Sequence, residues 1–252
     1  NDTAKNSKHI SWSKEFTLDL INNKVLKNDI LQLGNPRLDL CHNTESRNPE
    51  KSQKKVLIVG NGFHEFTDKV ISKDKVNLWK YIKKGKSNFY KLIETLDSII
   101  EKYPNLMFTY RPHPSFAKQD LENELLIKLK KKFSNFEIKF KSDISDAIIS
   151  SDLLLSFHST TYLEAVKLGI PYCRILLEEI DEDESDHNLK NWPICLKSKE
   201  DFIWLFDKLL NSYEDIPILL KNKYDEIYKN FNMSNSSTLI KLTEYIAENL
   251  KQ

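Results

Sequence analysis

From about residue 55 onward, apolar positions follow two alternating rhythms. Val56-Leu57-Ile58-Val59 is a short continuous run ending at Gly60-Asn61-Gly62, the pattern of a buried strand running into a tight turn. Ser87 to Tyr103 places Phe89, Leu92, Ile93, Leu96, Ile99 and Ile100 at helical spacing, and Pro104 stops it. Leu106 to Tyr110 predicts a second strand ended by Arg111-Pro112, Asp120 to Phe133 a helix, and Phe136 to Phe140 an alternating strand. Ser142-Asp143 caps a short helix through Ile149, and Leu153-Leu154-Leu155 is a buried strand. Thr160 to Leu168 reads as a helix closed by Gly169, and Pro171 to Leu176 as the next strand. The tail is helical, notably Glu200 to Leu210 and Ser237 to Leu250. Strand and helix alternating at this spacing predict the α/β class, with a Rossmann-like, mostly parallel sheet and flanking helices.

Residues 1–52 break this rhythm. They are polar and interrupted by Asn, Ser and Pro, with two short apolar patches, Phe16-Thr17-Leu18 and Ile30-Leu31-Gln32-Leu33. Residues 43–54 carry almost no apolar side chain and read as a linker. The chain does not begin with Met and its first residues lack a signal-peptide pattern, so a processed or trimmed piece of a longer protein is expected.

Composition narrows the function. Of 252 residues 40% are hydrophobic and 30% charged, which suits a globular chain with a core of ordinary size. Lys+Arg is 38 against Asp+Glu 37, a net charge of +1, and no nucleic-acid partner is expected without a net basic surface. The three cysteines, Cys41, Cys173 and Cys195, are far apart and lack CxxC spacing, so neither a disulfide framework nor a zinc site is implied. No run of about 18 apolar residues marks a membrane span.

In parallel α/β sheets, ligands bind beyond the carboxyl ends of the strands. Three of those ends carry unusual residues. Gly60 and Gly62 let a backbone approach a phosphate or sugar closely, or simply turn the chain; His64 and Glu65 beside them can face an acceptor or plain solvent. In Tyr110-Arg111-Pro112-His113-Pro114, two prolines stiffen a turn around a histidine. His113 can donate to a phosphate oxygen and Arg111 can add a charge-assisted contact, and the alternative is a rigid connection with a surface histidine. Ser156-Phe157-His158-Ser159-Thr160-Thr161 opens a helix with hydroxyl residues. Free N–H groups and the positive dipole end make it an anion site, or Ser159 and Thr160 merely cap the helix. No Gly-x-Ser-x-Gly elbow surrounds Ser159, which excludes a serine hydrolase of that type. Asp181-Glu182-Asp183 has metal-type Asp-x-Asp spacing but reads as a solvated acidic loop; Glu178 or Glu179 can instead reach a donor ribose. Trp79, Trp192 and Trp204 are expected to pack rather than stack on bases.

These motifs in this order resemble the C-terminal domain of GT-B enzymes that build bacterial surface polysaccharides such as capsule and lipopolysaccharide. Related groups are transferases of CMP-activated sialic acid or Kdo and CDP-glycerol glycerophosphotransferases. The likeness rests on Gly34-Asn35-Pro36-Arg37-Leu38-Asp39, Arg111-Pro112-His113-Pro114, Ser151-Asp152 leading to Ser159-Thr160-Thr161, and Glu164-Ala165 with Gly169-Ile170-Pro171. It spans roughly residues 30–176.

The resemblance implies one half of a GT-B fold. Residues 1–52 are then the remnant of a preceding domain plus linker, and residues 53–252 the donor-binding domain. It implies a glycosyltransferase taking a nucleotide-sugar, with a CMP-linked acidic sugar favoured. His113 contacts the donor phosphate and is the first catalytic candidate, followed by His64 and Glu65. Gly60, Gly62, Arg111, Ser159 and Thr160 join His113 in holding the donor, and Glu164 reaches the nucleotide or serves its helix alone. No metal or other cofactor is implied, because the helix dipole and side chains carry the leaving charge. The implied partners are a carbohydrate or glycolipid acceptor and an N-terminal acceptor domain outside this chain, with a cytoplasmic setting at the inner face of the membrane. Lys83-Lys84 and Lys130-Lys131-Lys132 can serve membrane contact or solvated helix faces. The alternatives are polyol-phosphate transfer from CDP-glycerol, a sugar-nucleotide epimerase, and a non-catalytic binding domain of a larger enzyme.

Overall fold

A computed structural model describes residues 8–41, 53–61, 76–140, 143–157, 159–178, 187–231, 233 and 237–249. Among them, β1 (His9–Ser11), α1 (Lys14–Asn22) and β2 (Ile30–Gln32) form a small unit in which the two strands pair in parallel. The main sheet contains β3 (Lys54–Val59), β4 (Leu106–Arg111), β5 (Phe136–Ile138), β6 (Leu153–Ser156), β7 (Tyr172–Ile175) and β8 (Cys195–Leu196). All five pairings are parallel and the strand order is β5-β4-β3-β6-β7-β8. Counted from β3, that is 3-2-1-4-5-6, the order of dinucleotide-binding α/β folds, with its topological switch between β3 and β6.

Helices α2 (Val76–Ile99), α3 (Ala117–Glu122), α4 (Glu124–Lys132), α5 (Ile144–Ile149) and α6 (Thr161–Leu168) connect consecutive strands. Helices α7 (Lys199–Asn211), α8 (Asp215–Asn230) and α9 (Thr238–Asn249) follow the sheet. The α/β class and parallel sheet expected from the sequence are what the structure has. Central strands β3 and β6 are buried on both faces, with Val56, Ile58, Leu153, Leu154 and Leu155 fully enclosed, which is why they read as unbroken apolar runs.

Several elements differ from expectation. The helix expected over 120–133 is two helices, because Asn123 adopts an extended backbone and its side chain caps α4 by accepting from Leu125 and Leu126. Helix α2 begins eleven residues before the expected Ser87, at Val76. The patch around Phe16 lies in α1, and Ile30–Gln32 is a strand.

Helix α6 is fixed from beneath. Its Tyr162 packs edge-on to Trp192, which packs on Tyr172 and Tyr224. The Trp192 indole N–H donates to the Tyr172 carbonyl at 2.9 Å, satisfying the polar edge of a buried ring. The Tyr224 hydroxyl donates to the Ile170 carbonyl and accepts from the Tyr172 N–H. Gly169 ends α6 in the left-handed conformation, φ +67°, as its position predicted.

Candidate functional site

Register sets the site. Val59 pairs with Arg111 on one side and with Ser156 on the other, so β4, β3 and β6 end level at one edge of the sheet. Neighbouring strands lie about 4.8 Å apart, which puts the loops after β4 and β6 roughly 10 Å apart at their roots. The Gly60 N–H donates to the Arg111 carbonyl at 2.9 Å and joins the first two loops. The structure therefore brings together the three strand ends that the sequence singled out.

Gly60 is buried and has no left-handed backbone, so a close approach rather than a special torsion is what glycine offers there. Gly62, His64, Glu65, His158, Glu179 and Asp181-Glu182-Asp183 lie outside the described residues.

His113 is half-buried and caps the short turn Pro114–Phe116, its Nδ1 accepting from the Ser115 N–H at 3.2 Å. A neutral imidazole that accepts at Nδ1 carries its proton on Nε2, so Nε2–H is the ring's donor. Arg111 is 7% exposed. Its side chain lines a cavity of about 280 Å³ on the face of the sheet with Met107, Thr109, Glu137 and Lys139. Burial lowers its pKa, opposed by Asp143, and its guanidinium sits 5.8 Å from the Phe140 ring centroid.

Ser159 Oγ accepts from the Thr161 N–H at 3.4 Å and from Thr161 Oγ1 at 3.1 Å, so it caps α6. Thr160, at the cap position itself, makes no capping bond with its side chain. Thr160 and Glu164 line a cavity of about 450 Å³ whose other wall comes from the amino-terminal residues, with Trp12, Phe16 and Arg37 among them. Glu164 is 1% exposed, and Arg37 Nε stands 2.6 Å from its Oε1. Burial raises the Glu164 pKa; Arg37 and the residue's own backbone N–H oppose it, and Asp143 reinforces it.

Sequence reasoning missed Arg37 as a site residue. Its motif was visible, but its pairing with Glu164 depends on tertiary packing. Glu178 is taken up by α2: its carboxylate accepts from Ser87 at 2.6 Å, its Oε1 lies 2.6 Å from Lys91 Nζ, and its N–H donates to Asn88. Trp192 is buried as expected, whereas Trp204 is partly exposed beneath Lys208. Among the described residues no helix is long and apolar enough to cross a membrane, and no cluster of three His, Cys, Asp or Glu could hold a metal.

The fold is shared with solved structures. The wall teichoic acid polymerase TagF, in a structure soaked with CDPG, superposes with a TM-score of 0.59 at 16% identity, over 97% of this chain and 57% of that one. The sheet is one half of a GT-B fold. A UDP co-structure of S. aureus MnaA matches at TM-score 0.59 and 13% identity, covering 97% of this chain and 61% of that one. The UDP-GlcNAc 2-epimerase from Neisseria meningitidis bound to UDP-GlcNAc matches at TM-score 0.56 and 15% identity, covering 93% and 61%. The chain thus spans between 57% and 61% of the length of these three proteins. No protein-family model matches the chain, and no curated protein sequence does.

Proposed function

We propose that this chain is the donor-binding part of a glycosyltransferase of bacterial surface-polysaccharide synthesis, taking a nucleotide-activated sugar, with a CMP-linked acidic sugar favoured. One observation carries the reading: Thr160, at the start of α6 just past the carboxyl end of β6, opens onto a cavity of about 450 Å³. The donor phosphate sits at that helix start, with Thr160 supplying a hydroxyl and the helix dipole a positive field. His113 Nε2–H approaches the same phosphate from the level end of β4. These groups stabilise the charge that develops on the departing nucleotide, so no metal is required. The acceptor and its base belong to His64, Glu65 or a preceding domain. We place the reaction in the cytoplasm at the membrane's inner face, with a carbohydrate or glycolipid acceptor.

A second reading is polyol-phosphate transfer from CDP-glycerol, favoured by the likeness to TagF. It uses the same phosphate contacts but attacks phosphorus. The sugar-nucleotide epimerase likeness has the same basis in fold.

Calorimetric titration with CMP, CDP, UDP and GDP tests the reading, with EDTA present to remove metals. Cytidine nucleotides are expected to bind most tightly. Absence of binding by all of them at millimolar concentration ends the donor-site reading. His113→Ala should weaken binding by about tenfold, the worth of one charge-assisted hydrogen bond; unchanged affinity removes His113 from the site.

A further inference from the structure

The sheet carries a second cavity that the donor reading does not use. On one side of β4, Phe108 and Tyr110 pack edge-on against Phe206 of α7 and Phe89 of α2. Period two turns Met107, Thr109 and Arg111 to the other side. There the register sets Lys55 beside Met107 and puts Leu57, Thr109 and Glu137 in one row. The cavity of about 280 Å³ lies over them, bordered by Ala147 of the six-residue helix α5. It shares no lining residue with the cavity at the start of α6.

Its walls have two characters. Leu57, Met107 and Ala147 are apolar, whereas Lys55, Arg111 and Lys139 bring three cations against the one lining carboxylate, Glu137. That carboxylate is already committed. Its Oε1 accepts from the Thr109 hydroxyl at 2.8 Å and stands 2.6 Å from Lys139 Nζ. The excess positive charge of the walls therefore belongs to Lys55 and Arg111.

Arg111 decides the chemistry. It is 7% exposed, and burial outweighs the attraction of Asp143, so its pKa is lowered. Taking a guanidinium out of water is costly, and an anion bound beside it offsets that cost. The planar guanidinium presents paired N–H donors that match the two oxygens of a carboxylate or phosphate. Met107 supplies an adaptable thioether, which favours an aromatic partner. A cavity of this size is small among ligand pockets, so its occupant is compact.

We propose that this cavity is a second binding site, for a small organic anion whose carboxylate or phosphate meets Arg111 and Lys55 while a flat apolar body lies on Leu57 and Met107. The site stands apart from the donor-site reading, because neither cavity borrows a residue from the other.

The chain contains two methionines, Met107 in this cavity and Met233 buried after α8, so methyl-labelled methionine gives a two-signal NMR spectrum with one reporter at the site. The full chain is titrated with benzoate and with phenyl phosphate, which tell a carboxylate site from a phosphate site. At least one should move the Met107 methyl saturably, with a dissociation constant at or below about 1 mM, and leave Met233 in place. Neutral benzamide and inorganic phosphate should each bind about tenfold more weakly, the first lacking the charge and the second the apolar body. Arg111→Gln should abolish the shift and Lys55→Gln should weaken binding about tenfold. No movement of Met107 by either anion at about 10 mM overturns the proposal. So does benzamide binding as tightly as the anions, or displacement of the bound anion by CMP. If Arg111→Gln does not fold, Lys55→Gln decides: undiminished affinity overturns the site. Failure of CMP to bind ends the donor-site reading and leaves this one standing, because Met107 reports this cavity.

Discussion

Asp39 Oδ2 accepts the backbone N–H of Leu239 at 2.8 Å, so a residue from the amino-terminal turn caps the last described helix. Asp39 also accepts from the Thr238 N–H and the Ser237 hydroxyl. Burial pushes its pKa up, but these bonds outweigh burial and hold it below the ordinary 3.8. A depressed carboxylate pKa gives stability that is present above the unfolded value and is lost as pH falls through the folded one. Asp39→Ala should cost about 1 kcal/mol near pH 7, the usual loss for a helix cap. The difference from wild type should shrink as the pH is lowered below the ordinary 3.8 and Asp39 takes up its proton. Chemical denaturation at pH 7 and across that acid range checks this, and an equal loss throughout refutes the charged cap.

The two halves of the Arg37–Glu164 pair should respond to mutation with different signs. Removing Arg37 leaves a buried carboxylate without its cation; removing the charge of Glu164 leaves an arginine that already reaches water. Arg37→Ala should destabilise the chain by roughly 2 kcal/mol at pH 8, below the full cost of stranding a buried charge because Arg37 is half-exposed. Glu164→Gln should be neutral or stabilising. The Glu164 pKa is raised on folding, so its contribution favours the folded state at low pH and weakens as pH rises beyond 4.5. The Arg37→Ala deficit should accordingly be smaller at pH 5 than at pH 8. Urea midpoints at both pH values measure it, and a deficit that grows on acidification reverses the predicted sign.

Gly169 tests a purely conformational requirement. A Cβ built there meets nothing within 4 Å, yet φ is +67°. Gly169→Ala should therefore cost about 1 kcal/mol from the left-handed backbone alone. Gly169→Asn should cost less, because Asn tolerates that region. The order of the two melting temperatures decides; equal values would remove the torsional explanation.

Legibility in the sequence followed burial. Strands β3 and β6, enclosed on both faces, appeared as continuous apolar runs at their observed positions. Strands β1 and β2 lie in the polar first 52 residues and β8 is two residues long, so none of them stood out as a strand. Within the tail expected to be helical, α8 was not singled out: only Ile216, Leu220 and Ile227 are buried along its sixteen residues, a stripe too sparse to stand out. At the site, the strand ends could be found because loops after parallel strands are where ligands gather. The direction of Arg111 was available too. Period two along β4 puts it on the face of Met107 and Thr109, opposite Phe108 and Tyr110. The Arg37–Glu164 pair was not available, since no local pattern says which helix a distant turn will meet.

His113 offers a direct test of whether the turn after β4 is prepared for an anion. Pro112 and Pro114 flank it, and the Ser115 N–H fills Nδ1. The neutral ring should therefore be the Nε2–H tautomer in the free protein, before any ligand arrives. Nitrogen-15 chemical shifts of the labelled imidazole distinguish the two tautomers at pH 8. The expected spectrum has a pyridine-like Nδ1 and a pyrrole-like Nε2. Adding CMP should shift Nε2 more than Nδ1, because the phosphate is met by the nitrogen that carries the proton. A ring protonated at Nδ1 would leave no Nε2–H to donate, and the turn would then be a rigid connection with an incidental histidine.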